Sequence, residues 1–205
     1  MGMSGNVLEN LKAFDINVTH ITNREKIIKT RYVDERYNHQ LLRVDEDIRV
    51  ETFLGFLPEQ NFDAVVISDY AKGFLTIDKI YEIVETYSCP IFIDSKKVHL
   101  PDEEHVFIKI NELEAQRLRT RPKNLIITMG EKGTFYKDTI YQANKVNVFD
   151  VVGAGDTFLA ALTYFHLESN SIESAIIKAN RAAAIAVQHR GTYVLTKEDI
   201  NEIRG

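Results

Sequence analysis

Asp150-Val-Val-Gly-Ala-Gly-Asp-Thr157 decides the reading of this chain. Two glycines lead into a carboxylate, and residues 158–167 behind them have helical character. Glycine tolerates the backbone angles that aim successive N–H groups into one small volume, and a helix beginning there adds the positive end of its dipole. Asp156 stands at the rim of that volume. Fixed donors of this kind stabilise the peripheral oxygens of a migrating phosphoryl group, while a carboxylate within reach accepts the proton of an attacking hydroxyl. The same residues also suit a plain glycine turn in which Asp156 caps the helix, and this segment alone leaves both readings open.

From Asp63 onward, short runs rich in β-branched residues alternate with stretches of helical period. This is the pattern of a mainly parallel sheet covered by helices, so the fold class is α/β. Residues 64–68, 91–94, 105–110 and 124–128 read as buried strands, and residues 77–86 as a helix with Ile80, Ile83 and Val84 inward. After Gly133 a hairpin is predicted over 134–137 and 139–143, with Lys137-Asp138 near its turn. Two long helices follow, over 156–167 and the alanine-rich 172–188, and Thr196-Lys-Glu-Asp199 resembles a capping box opening a last helix.

A parallel sheet brings the carboxyl ends of its strands to one edge, where open α/β sheets bind ligands. Thr128-Met-Gly-Glu-Lys-Gly133 follows one strand, and Gly130 and Gly133 let the backbone approach a nucleotide phosphate there. A strand-to-hairpin turn would use the same glycines for its angles alone. Asn111-Glu-Leu-Glu114 follows a second strand. One amide and one carboxylate at this spacing suit outer-sphere organisation of Mg²⁺, which keeps several of its waters, and equally suit an exposed helix start. Asp69-Tyr-Ala-Lys-Gly73 follows a third, offering Asp69 to a hydroxyl and Lys72 to a substrate phosphate, or simply a charged turn. Asp94-Ser-Lys-Lys97 repeats that position at the next strand end.

With 205 residues, 44% of them hydrophobic, the chain has enough material for a buried core in a single domain over 1–205. Lys and Arg number 25 against 30 Asp and Glu, a net charge of -5, and no basic block is long enough to track nucleic acid. A small-molecule partner is expected. The single cysteine, Cys89, excludes an intramolecular disulfide and a cysteine-rich metal site. No apolar run reaches membrane-spanning length and no leader pattern opens the chain, so the expected place is the cytoplasm, with no membrane partner. The first 50 residues differ in texture. Strand-like alternation over 26–33 and 39–44, around Asp34-Glu-Arg-Tyr-Asn38, predicts a β flap over 26–45 set apart from the main sheet as a lid. Its apolar residues Ile27, Tyr32 and Leu41 are hard to bury within one chain, which favours pairing of flaps across a homodimer.

Taken together and in this order, these motifs resemble the ribokinase-like (PfkB) carbohydrate kinases. Asp150-Val-Val-Gly-Ala-Gly-Asp-Thr-Phe-Leu-Ala-Ala-Leu-Thr163 resembles that family's C-terminal signature, Thr128-x-Gly-x-x-Gly133 its nucleotide motif and Asn111-x-x-Glu114 its magnesium motif. Within the family the chain is most similar to the heptose 7-phosphate kinase module of bifunctional ADP-heptose synthases. Lys29-Thr-Arg31, Gln40-Leu-Leu-Arg-Val-Asp45, Ser68-Asp-Tyr-Ala-Lys-Gly73, Ile93-Asp-Ser-Lys96 and Ala179-Asn-Arg-Ala-Ala-Ala184 carry that similarity. The resemblance implies a ribokinase-like sheet with helices on both faces, and ATP- and Mg²⁺-dependent phosphorylation of a sugar phosphate, first of all a heptose 7-phosphate. It implies Asp156 as the base and Gly153, Ala154 and Gly155 as the anion hole. It further implies that Asn111 and Glu114 organise Mg²⁺ through water, and that Thr128, Gly130, Gly133 and Asn180 hold ATP. Arg43, Lys72 and Lys29 are then candidates for contacting the phosphate of the sugar, with Asp69 also on the substrate side.

Departures accompany the resemblance. Gly5-Asn-Val-x-x-Asn-Leu11 resembles the family's substrate-side helix, yet only four residues precede it, where the family has a strand and an acidic sugar-binding residue. The chain is also shorter than the family pattern between Val18 and Lys29. Asp94-Ser-Lys stands in place of Asp-Pro-Lys, and the expectation is a kinase module without a nucleotidyltransferase half after Gly205. The expectation is a kinase shortened at its N-terminus. The alternative is a catalytically impaired relative that binds nucleotide and serves as a binding or regulatory subunit.

Overall fold

The structure, a computed structural model, describes residues 3–25, 27–34, 36, 39–46, 48 and 50–205. Helix α1 (Met3–Ala13) comes first and turns Val7 and Leu11 into the core, joined by Phe14 just beyond its end. The flap follows as β1 (Lys29–Asp34) and β2 (His39–Asp45), an antiparallel pair whose register runs from Lys29 opposite Asp45 to Asp34 opposite His39, with an irregularity between Tyr32 and Val33. Residue 26, where the predicted flap begins, and residues 35, 37 and 38 of its turn lie outside the described residues. The two strands form a sheet of their own and pair with nothing else among the described residues.

The main sheet holds β3 (Val65–Asp69), β4 (Ile91–Ser95), β5 (Val106–Asn111), β6 (Leu125–Thr128), β7 (Thr134–Tyr136) and β8 (Thr139–Tyr141), in that spatial order. The first four pair in parallel, β7 pairs antiparallel with β6, and β8 pairs antiparallel with β7. The predicted strands are all present, and the hairpin is where the sequence placed it. Lys137 and Asp138 both take positive φ, 43° and 63°, as the tight two-residue hairpin turn requires, and β7 and β8 are shorter than the predicted segments.

Side chains alternate across the sheet and two cores result. On one face, Ile67, Ile91, Ile93, Ile108 and Ile110 pack against Ile80, Ile83 and Val84 of α2 (Ile77–Thr86), which Thr76 caps by accepting from the Lys79 N–H. On the other, Phe92, Phe107 and Ile126 meet α1, α4 (Ala154–Ser169), α5 (Ile172–Ala186) and α6 (Lys197–Arg204). Helices thus cover both faces, as the α/β reading requires. A single turn, α3 (Glu112–Ala115), follows β5. Gly133 is needed where β6 hands over to the hairpin. It has φ 94°, and a Cβ there would lie 2.1 Å from the Tyr141 carbonyl oxygen. The alanine run of α5 lets it lie close to α4, with Ala175, Ala179 and Ala182 fully buried. The capping box at Thr196 and Asp199 forms as read. Among the described residues no helix is long and apolar enough to cross a membrane.

Candidate active site

Gly153 is the N-cap of α4, in the left-handed conformation at φ 81°, so the helix begins at Ala154, earlier than the sequence suggested. A Cβ on Gly153 would lie 2.7 Å from Asn6 Nδ2. The glycine therefore supplies both the turn and the room for α1 to approach. Asp156 falls in the first helical turn and is 3% exposed. Its side chain does not cap its own helix. Oδ2 accepts from Asn6 Nδ2 at 3.2 Å, and Oδ1 from the Tyr70 hydroxyl at 3.2 Å. Burial pushes its carboxyl up to about 6, with Asp94 adding to the rise; Asn6, Lys109 and Tyr70 pull the other way. A carboxylate so placed is ionised at neutral pH yet close enough to its titration range to take and return a proton.

Asn6 is itself held. Asn10, one turn on and fully buried, donates to the Asn6 carbonyl at 3.0 Å and to the Tyr193 carbonyl at 3.0 Å, and accepts from the Leu195 N–H at 3.1 Å. Asp150 closes the other side of the turn, accepting from the N–H groups of Val152 at 3.0 Å and Gly191 at 2.9 Å. The glycine turn is thus braced from α1, from the 191–195 segment and from within.

Sequence reasoning missed the residue beneath the turn. Lys109, 5% exposed, points to the α4 face with Phe107, and a Cβ on Gly155 would lie 2.9 Å from its Nζ. Asp94, on the same face through β4, accepts from Lys109 Nζ at 2.6 Å. A lysine in the middle of the apolar strand Val-Phe-Ile-Lys-Ile-Asn was the available signal, since a cation is rarely buried without a purpose or partner. Asp69, which the sequence set in parallel with Asp94, turns to the other face with Ile67. Its oxygens accept from the Ala71 N–H at 2.9 Å, Ser95 Oγ at 2.8 Å and Lys97 Nζ at 2.8 Å.

The nucleotide-side candidates lie beyond this cradle. Asn111 and Glu114 form a reciprocal capping box at the start of α3, Asn111 Oδ1 accepting from the Glu114 N–H at 2.9 Å and Glu114 Oε2 from the Asn111 N–H at 3.0 Å. They line a cavity of about 230 Å³ with Lys96, Lys97 and Arg117. Among the described residues no three His, Cys, Asp or Glu side chains converge on one point. One amide and one carboxylate are the kind of donors that suit a Mg²⁺ ion held through water and phosphate oxygens more than a protein cage. Thr128 Oγ1 donates to the Ile110 carbonyl at 3.3 Å, and Gly130 has open space where a Cβ would stand. Asn180 is turned towards the hairpin, accepting from Thr134 Oγ1 at 2.7 Å and donating to the Tyr141 carbonyl at 2.9 Å.

Asp156 also lines a cavity of about 1880 Å³. Asp69, Tyr70, Gly153 and Asp156 line one part of it, with the cations Lys29, Arg31, Arg43 and Lys72. The first three of these cations belong to the flap. The structure thus brings the proposed base, the glycine turn and the phosphate-contacting candidates to one space, and leaves Asn111, Glu114, Thr128, Gly130, Gly133 and Asn180 outside its lining.

The parallel sheet with helices on both faces has the ribokinase-like fold, and residues 102–199 match the family described as pfkB family carbohydrate kinase. The solved ribokinase of Thermotoga maritima superimposes with a TM-score of 0.64 at 18% identity, over 85% of this chain and 68% of that one. The Burkholderia thailandensis nucleoside kinase, solved in complex with inosine, gives 0.67 at 16% identity, over 98% and 84%. Among curated proteins, the Bifunctional protein HldE of a Nitratiruptor species is 28% identical over an alignment of 261 positions, spanning 98% of this chain and 56% of the relative. That of Campylobacter jejuni is 30% identical over an alignment of 202 positions, spanning 82% and 44%. The chain spans about half the length of the curated relatives it matches. The resemblance read from the motifs is borne out in the fold and in the family match over residues 102–199.

Proposed function

We propose that this chain phosphorylates a sugar phosphate, a heptose 7-phosphate being the first candidate, using ATP and Mg²⁺. The observation that carries the proposal is the pairing of Asp156 with a glycine turn that has the Lys109 ammonium beneath it, at the edge of a cation-lined cavity. ATP with Mg²⁺ supplies the phosphoryl group and neutralises part of its charge. Asp156 accepts the proton of the sugar hydroxyl, and its burial sets its proton affinity for that task. The N–H groups of Gly153, Ala154 and Gly155 and the start of α4 stabilise charge on the transferred group, with Lys109 adding a buried positive charge. Asn111 and Glu114 order the metal through water, and Thr128, Gly130, Gly133 and the Asn180 region form the nucleotide side. Lys29, Arg43 and Lys72 receive the phosphate of the acceptor, and Asp69 braces the same wall. Residues 1–205 act as one catalytic unit, with 26–45 as the lid, working in the cytoplasm.

The test is purified protein with ATP, Mg²⁺ and a panel of sugar phosphates that includes heptose 7-phosphate, with Asp156→Asn as control. ADP release that depends on one acceptor and is lost in the variant supports the proposal. A second reading is favoured by the chain being shorter than the family pattern between Val18 and Lys29. It is a nucleotide-binding subunit without turnover, and calorimetric ATP binding with no product against any acceptor would select it. The flap leaves Leu41 67% exposed, with Tyr32, Leu42 and Val44 also exposed. We place a homodimer there, and sedimentation showing only monomer at high concentration removes it.

A further inference from the structure

Tyr70 stands at a junction that the proposed chemistry does not use. It directly follows β3, in a turn where Ala71 takes a φ of 54°. Its hydroxyl donates to Asp156 Oδ1, the carboxylate oxygen opposite the one held by Asn6. Two ammonium groups from different elements approach its ring. Lys29 Nζ, on flap strand β1, is 5.1 Å from the ring centroid, and Lys96 Nζ, just past β4, is 4.9 Å from it. Both lie within the reach of cation–π attraction, which strengthens as the contact loses water. One side chain is therefore held at its ring by the flap and the sheet edge, and holds the carboxylate at its other end.

We propose that Tyr70 is a positioning residue that couples the seating of the flap to the orientation of the Asp156 carboxylate. Burial and the neighbouring charge of Asp156 keep the phenol protonated, so it acts as a donor throughout the physiological range. A donor on a carboxylate favours its charged form, and a flap that seats Tyr70 thereby helps to keep Asp156 ionised. The groups facing this pair are Asn6 from α1, Asp94 from β4, Lys96 beyond it, Lys109 from β5, Glu114 from α3 and Lys29 from the flap. The coupling stands on this geometry. Only its consequence for turnover rests on the kinase reading.

The deciding experiment is a carbon-NMR titration of the aspartate carboxyls, with the Asp156 signal assigned by its loss in Asp156→Asn. Tyr70→Phe keeps the ring and removes the donor, and raises the Asp156 midpoint by about one pH unit. Lys29→Met raises it in the parent chain, and by less than half as much once Tyr70→Phe has removed the link. An unchanged midpoint in Tyr70→Phe, or equal Lys29→Met shifts in both backgrounds, overturns the proposal. Should Tyr70→Phe fail to fold by circular dichroism, a ring-fluorinated tyrosine placed at 70 serves instead. Its stronger donor lowers the midpoint, and an unchanged or raised value overturns the coupling. Because the titration needs neither ATP nor turnover, it gives its answer even where the kinase reading fails. In an active chain the acid limb of the pH–rate profile follows the same shift while the KM for ATP stays in place.

Discussion

Two carboxylate–lysine pairs sit at neighbouring strand ends and serve different ends. Asp94 with Lys109 faces α4, and Asp69 with Lys97 faces the α2 side. Both are close pairs, 2.6 Å and 2.8 Å, and both carboxylates are largely buried. What separates them is the pleat. Residues 92 and 94 of β4 and 107 and 109 of β5 point to the face where α4 begins, while 67 and 69 of β3 point to the other. The first pair therefore delivers a cation beneath Gly155, and the second ties the 69–71 turn to the segment after β4. A strand-end carboxylate acquires a role from the face it is on more than from its place along the strand.

The largest effect that tests this division is on catalysis at the α4 face. Asp156→Asn lowers turnover by about 10²- to 10⁴-fold, the usual worth of a positioned base, while ATP affinity measured by calorimetry holds. Next comes Lys109→Met, which strands Asp94 without its partner in the interior. Denaturant unfolding is expected to show a loss of about 3–5 kcal/mol, and ATP turnover by the folded fraction falls with it. The proton balance of Asp156 gives a third, smaller effect. Its folded pKa of about 6 lies above the ordinary 3.8, so its contribution to stability is fully present below the ordinary value and is lost as pH rises through 6. Asp156→Asn is therefore neutral at pH 4 and gains on the order of 1–3 kcal/mol at pH 8 in paired unfolding curves. Equal stability of the two proteins at both pH values would show that the carboxylate is not destabilised by burial. The smallest effect is on the α2 face. Lys97→Met leaves Asp69 bonded to Ser95 and the Ala71 N–H and costs about 1–2 kcal/mol, with turnover within a few-fold of the parent. If Lys97→Met proved as damaging to turnover as Lys109→Met, the assignment of the two faces would be wrong.

Much of the fold was legible because its signals are local. β-Branched runs marked β3 to β6, the change of pattern after Gly133 with Lys137-Asp138 near its turn marked the hairpin, and Thr196 with Asp199 marked the last helix. The start of α4 was read late because Gly153 caps it by backbone conformation alone, with no side-chain donor or acceptor to announce the position. In the site, the glycine turn and Asp156 were legible from their spacing. Lys109 was not singled out, since a strand residue declares its burial but not its neighbours. Asn6 and Tyr70 meet Asp156 from 150 and 86 residues away, separations that no local pattern encodes.

By itself the sequence determined the α/β class, the order of the elements, the glycine turn and the chemical identity of the carboxylate beside it. These depend on backbone propensity, on the period of apolar residues and on residue type, all of which act within a few positions. The tertiary structure alone decided that Asp94 and Lys109 lie under the turn and that Asp69 and Lys97 do not. It also decided that Tyr70 links the flap to Asp156 and that burial lifts that carboxyl to about 6. Burial, desolvation and the meeting of charges across a sheet exist only once distant segments have packed. For that reason the same aspartate that the sequence could offer only as a cap or a base emerges in the fold as a buried acceptor held by two donors.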